Sequence, residues 1–212
     1  AIKFATAYGG LPDQLARQAI TVPEEDAEFF RLRYMEAYHA AVQKTLSAVD
    51  PDHLSFGFGP LIGTATKPED WAIAARYCDV VGYELAGEYQ APPLGDSEKP
   101  YLCLGFAFPP SYEGARGFSI VPNAPLDDTQ AGQRYADFAA AAARDPRCLG
   151  AIWHRYRDEP LLNADGQIDP GGRYAFGLVD GTDRLKMPLA LAMRAANLSI
   201  AEARNRVPRG VR

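Results

Sequence analysis

Apolar positions along the chain follow two alternating rhythms. From Glu25 to Val49 they recur at helical spacing, at Phe30, Tyr34, Tyr38, Ala41, Leu46 and Val49. Thr21-Val22-Pro23-Glu24-Glu25 carries the marks of a helix start: a capping hydroxyl, a proline and acidic residues in the first turn. Asp50-Pro51 ends the pattern, because a residue before proline avoids the α region. A shorter polar-apolar stretch over 12–20 has Pro12 placed as a first helical residue. Further helical patterns run over 68–77, about 128–144 and about 188–204.

Between the helices lie short continuous apolar runs: Leu54 to Gly59, Asp79 to Tyr83, Tyr101 to Phe108 and Cys148 to Trp153. Runs this short predict strands buried on both faces, and their alternation with helices predicts βα units around a parallel sheet. The expected fold class is therefore α/β, a parallel half-barrel of about four βα units. Long segments follow each strand, at 60–67, 84–98, 109–127 and 154–187. A barrel builds its site from the segments after its strands, and long loops are uncommon without a role. No repeat, low-complexity segment or domain linker divides the chain, so 1–212 is expected to form one domain.

Composition narrows the function classes. The net charge of −5 offers no basic face to nucleic acid and no polybasic patch to an anionic membrane. No stretch approaches the roughly 20 apolar residues of a spanning helix. Cys78, Cys103 and Cys148 lack paired spacing, which leaves buried thiols as the expectation rather than disulfides or a zinc site. His39, His53 and His154 form no metal motif, and Asp180 with Asp183 fits a turn better than a calcium site. No phosphate-cradling loop, dinucleotide fingerprint or Gly-x-Ser-x-Gly elbow is present, so neither cofactor nor metal is expected.

Several phrases, in order, resemble one family. These are Tyr38-His-Ala-Ala-Val-Gln-Lys through Asp50-Pro51-Asp52-His53-Leu54, then Ala75 to Val81, and Lys99-Pro100 with the strand behind it. Gly150 to Leu161 and Tyr174 to Asp183 complete the set. Together they resemble TIM-barrel glycoside hydrolases, most closely the β-agarase type, with β-galactosidase relatives second. The resemblance implies strands 5–8 of a TIM barrel, with the N-terminal half absent from this chain. The opening Ala-Ile-Lys-Phe, without an initiator Met or signal peptide, leaves a removed leader as the alternative. Relatives are often secreted or periplasmic; the compartment of this chain stays open.

The same resemblance implies a retaining O-glycosidase with two glutamates about 5–5.5 Å apart, one on strand 4 and one on strand 7. No Asn-Glu pair, the usual setting of the acid/base, occurs in the sequence. At the strand-7 position, before Phe106-Ala107-Phe108, stands Gly105, which has no side chain to act as nucleophile. No catalytic residue is therefore assigned. Glu84, after Tyr83 at the end of a strand, is a weak stand-in and a better acceptor for a sugar hydroxyl. Glu113, Asp158 and Glu159 are weaker still, since Arg116, Arg155 and Arg157 are near enough in sequence to pair with them. Trp153 is expected either as a platform under a sugar ring or as core packing. His154 and Tyr156 join Trp153 and Glu84 as expected substrate contacts, whereas His39 and His53 are expected to be structural.

The functional expectation is a glycoside hydrolase-like protein related to galactan- and agar-degrading enzymes, inactive as this chain. The alternative is a non-catalytic carbohydrate-binding or structural half-barrel. An oligo- or polysaccharide, a galactan, is the expected ligand. Open sheet edges imply a homodimer or association with an N-terminal half.

Overall fold

The computed structural model describes residues 22–57, 62, 66–111, 124–159, 162, 165–167 and 175–206. The 12–20 stretch, Thr21, Gly59, Glu113, Arg116, Leu161 and Tyr174 lie outside the described residues. Helix α1 (Glu24–Val49) leads into β1 (Phe56–Gly57), α2 (Pro68–Tyr77) and β2 (Val80–Ala86). Strand β3 (Tyr101–Ala107), α3 (Asp128–Arg144), β4 (Cys148–Trp153) and α4 (Met187–Arg206) complete the order. All neighbouring strands pair in parallel, in the order β1-β2-β3-β4. The expected α/β half-barrel arrangement of four strands is thus present. Two bounds differ: β2 runs on past Tyr83 to Ala86, and the described part of β1 is only two residues long.

Local chemistry explains the helix starts. Glu24, Glu25 and Asp26 fill the first turn of α1, where the helix dipole favours negative charge. At α2 the Asp70 carboxylate turns back to accept from the Lys67 backbone N–H at 3.0 Å. At α3 the Asp127 side chain accepts from the Gln130 N–H at 2.8 Å.

The core lies between the sheet and its helices. Phe106 of β3 stacks on Phe138 of α3 with centroids 3.9 Å apart, and Tyr135 and Trp153 pack around the pair. Tyr83, Tyr101 and Cys103 are fully buried on the same side. Between β2 and β3 no helix forms over 87–100; Leu94 enters the core in its place. The three cysteines are buried thiols outside any disulfide, and burial pushes the Cys103 thiol up to about 12, so it stays protonated.

Helix α1 joins the rest through polar bonds. Arg31 pairs with the buried Asp70 carboxylate of α2, and Arg76 meets Glu36 at 2.7 Å. Its apolar stripe lies elsewhere: Tyr34 and Tyr38 are more than half exposed among the described residues.

Candidate functional site at the strand ends

Parallel strands of an α/β sheet deliver ligand-binding residues at their C-terminal ends. Here β2, β3 and β4 end at Glu84–Ala86, Gly105–Ala107 and Trp153. Side chains alternate across a strand, so with Tyr83 turned into the core, Glu84 projects from the opposite, open face, where it is exposed.

Strand β3 is irregular at this level. Tyr83 pairs with Cys103 and Glu84 with Gly105; on the other side Ala151 pairs with Cys103 and Trp153 with Phe106. Leu104 is therefore an extra residue relative to β2, and one of Leu104 and Gly105 is extra relative to β4, a bulge of the kind found beside active sites. At Gly105 the bulge leaves a gap. A Cβ there would lie 3.6 Å from Glu84 Cγ and Cδ and 3.7 Å from Oε1, ordinary contact distances. The Glu84 side chain thus leans over the space that a side chain at 105 would enter.

His154 stands on the far side of this gap. Its backbone N–H donates to the Phe106 carbonyl at 2.9 Å, which continues β4 alongside β3. Burial, then the Arg155 guanidinium, holds the imidazole below its usual pKa, against an upward pull from Glu84. The ring is therefore neutral at pH 7. Its Nε2 accepts from Arg155 Nε at 3.0 Å, which places the ring proton on Nδ1. Phe176 sits edge-on against it at 5.4 Å.

Trp153 lies one residue earlier and on the other face. Its indole meets Phe106 and Tyr135 edge-on at 5.5 and 5.8 Å, and Nε1 donates to the Phe176 carbonyl at 2.8 Å. The side chain is only partly buried. Tyr156 projects into solvent with 72% of its surface exposed. Glu84, Gly105 and His154 are thus brought together, Tyr156 lies close by in the chain, and Trp153 faces the helix side.

The other carboxylates after β4 are engaged. Glu159 pairs with Arg155. Asp158 is buried with Lys186: Lys186 Nζ donates to its Oδ1 at 2.9 Å and to the Ala175 carbonyl at 3.2 Å. The Gly177 N–H donates to the same Oδ1 at 2.6 Å. Only glycine fits at 177, since a Cβ would fall 2.2 Å from the Asp158 nitrogen and 2.3 Å from the Val179 oxygen. This latch binds the segment after β4 to the entry of α4. Reading the sequence did not find Lys186 or Gly177; the spacing of 28 residues between Asp158 and Lys186 carries no local signal. Asp180 closes a turn, accepting from the Thr182 and Arg184 backbone N–H groups. His53 is exposed against Asp50, and His39 is buried in α1.

No group of three or more His, Cys, Asp or Glu residues able to hold a metal occurs among the described residues. No described helix is long and apolar enough to cross a membrane. A cleft of about 870 Å³ between α1, α2 and residues 94–99 lies on the outer helix layer, away from the strand ends.

The chain is similar over most of its length to agarase-type glycoside hydrolases and shares their fold. Among curated proteins it is 28% identical over 193 residues to Beta-agarase B of Vibrio sp. (strain JT0107), a match covering 89% of this chain and 20% of that protein. The chain thus spans about a fifth of the length of this relative. An exo-beta-agarase structure aligns with a TM-score of 0.68 at 24% identity, covering 92% of this chain and 26% of the other. The agarase AgWH50C aligns with a TM-score of 0.70 at 23% identity, over 89% and 27%. A GH2 beta-galacturonidase from Eisenbergiella tayi, bound to galacturonate, aligns with a TM-score of 0.52 at 16% identity, over 78% and 31%. At these identities the structural likeness is one of fold. No protein-family model matches the chain.

Proposed function

We propose that this chain binds an agar-type galactan at the ends of its strands and does not itself hydrolyse the glycosidic bond. The observation that carries this reading is the gap at Gly105. Retaining hydrolysis needs a carboxylate to attack the anomeric carbon and a second one about 5–5.5 Å away as acid and then base. Where the resemblance calls for the nucleophile, the chain has a glycine, with the Glu84 side chain at ordinary contact distance from where its Cβ would stand. Among the described residues, the carboxylate nearest that position belongs to Glu84 on the neighbouring strand. Similarity to a beta-agarase supports galactan as the ligand class.

In this reading Glu84 accepts hydrogen bonds from sugar hydroxyls, and His154 donates through Nδ1. Tyr156 covers the ring from solvent, and Trp153 packs the core behind the site rather than lying under the sugar. The test is calorimetric titration of the chain with agarose-derived oligosaccharides, with a reducing-end assay on the same samples. Saturable binding without new reducing ends is expected. Hydrolysis that disappears in Glu84→Gln would replace this reading with a catalytic one.

A second reading rests on the sheet edges. Among the described residues, strands β1 and β4 each have one neighbour. At these edges Phe56, Leu149 and Ile152 are each about half exposed (52%, 49% and 50%). Unpaired edges with apolar side chains invite further strands. We propose that they pair with a second half-barrel, completing an eight-stranded TIM barrel. A twofold axis along the barrel would set β4 of one copy parallel to β1 of another, and the N-terminal half of a longer chain would serve equally. Light scattering of the isolated chain tests this; a monodisperse monomer that stays folded would contradict it.

A further inference from the structure

We propose that copies of this chain associate head to tail, an exposed apolar stripe on α4 of one copy lying in the cleft between α1 and α2 of the next. This interface uses neither the strand ends nor the sheet edges, so it is independent of the sugar-binding and edge-pairing readings above.

The stripe is set by helical spacing. Met187, Leu191, Arg194 and Leu198 share one side of α4 and span about 16 Å along its axis. Leu189 and Met193, on the opposite side, are buried in the core. Met187, Leu191 and Leu198 are each about half exposed (51%, 55% and 54%). Since the stripe faces away from the core, a strand added beside β4 would leave it uncovered. Apolar side chains at this spacing on the outward face of a helix suit a groove on a partner.

The cleft of about 870 Å³ on the outer helix layer is such a groove. Phe29, Leu32 and Glu36 line it from one side of α1, and Glu69, Ala72 and Arg76 from one side of α2. Each set runs about 10 Å along its helix, so the ridge of a third helix can seat between them. Leu94 adds an apolar wall. Charge at the rim favours the α4 stripe as occupant. Arg76 is held by Glu36 at 2.7 Å, Lys99 Nζ donates to the Cys78 carbonyl at 2.9 Å, and Arg33 lies 5.4 Å over the Phe29 ring. Glu69 and Asp96 stand exposed beside the apolar floor, and Arg194, exposed in the middle of the stripe, brings the matching cation.

Sedimentation of two variants, alone and mixed, tests the interface. Ala72→Arg fills the cleft and keeps the stripe; the double variant Leu191→Gln, Leu198→Gln keeps the cleft and weakens the stripe. All three positions are exposed, so native melting is expected; if Ala72→Arg melts early, Glu69→Lys blocks the same cleft from its rim. The native chain should grow in mass with concentration, because a head-to-tail contact leaves a stripe and a cleft open at its ends. Each variant alone should associate about tenfold or more weakly than the native chain, and an equimolar mixture should regain native affinity for one pairing and grow no further. Edge pairing is common to all samples and cancels in the comparison. A mixture no tighter than its components, native association that persists in both variants, or a native chain that stays monomeric throughout would each overturn the interface and leave sugar binding untouched.

Discussion

Placing a carboxylate at position 105 tests the geometry on which the site rests. A Cβ added at Gly105 sits 3.6–3.7 Å from the Glu84 carboxyl end, so Gly105→Glu would bring two carboxylates to about 5 Å of each other. At that distance their repulsion is about 3 kcal/mol at an effective dielectric of 20, and about 0.8 kcal/mol in bulk water. Glu84 is exposed, which places the expected value between these limits, about 1–2 kcal/mol. The change of backbone freedom and packing at a strand glycine is removed by taking Gly105→Gln as the reference. Urea unfolding at neutral pH and low salt should then find Gly105→Glu less stable than Gly105→Gln by about 1–2 kcal/mol. The difference should vanish in a Glu84→Gln background, because a double-mutant cycle isolates the pair. A difference that survives Glu84→Gln, or that is absent from the start, would refute the placement of Glu84 over the gap.

Three further outcomes are expected. Lys186→Met should cost about 3–5 kcal/mol in urea unfolding by stranding the buried Asp158 carboxylate, with part recovered in the Asp158→Asn double variant. Asp145 is pushed up by burial, but hydrogen bonds from Tyr101, the Arg147 backbone and Tyr89 outweigh this and hold it below its usual 3.8. Its contribution to stability is therefore present above pH 3.8 and lost as pH falls through the depressed value. Stability curves between pH 5 and about 2 should be flatter in Asp145→Asn than in the native chain. Trp153→Ala should open the Phe106–Tyr135 cluster at a cost of about 3–5 kcal/mol in urea unfolding, with the oligosaccharide affinity of the folded chain unchanged. A loss of affinity by calorimetry in the folded variant would place the indole in the sugar site instead.

The periodicities in the sequence located the elements because they report burial along one strand or one helix. Cys148 to Trp153 and Pro68 to Tyr77 are bounded in the structure as their patterns imply. What periodicity does not carry is the identity of a distant partner. The stripe at Tyr34 and Tyr38 marked α1 as a helix, yet α1 is held to α2 by Arg31, Glu36 and their partners. Asp158 was legible as a loop carboxylate beside two arginines, but its partner is Lys186, brought in by the return of the chain to α4. The Gly105 gap was legible only through the resemblance. That Glu84 fills its border depends on the bulge at Leu104, which no local pattern announces.

The most direct test of sugar binding without hydrolysis is one titration read in two ways. The purified chain is titrated calorimetrically with an agarose-derived hexasaccharide, then the mixture is incubated and its reducing ends are counted. Saturable heat with the hexasaccharide intact is the expected result. New reducing ends that form with the native chain and not with Glu84→Gln, or no binding heat at any concentration, would contradict it.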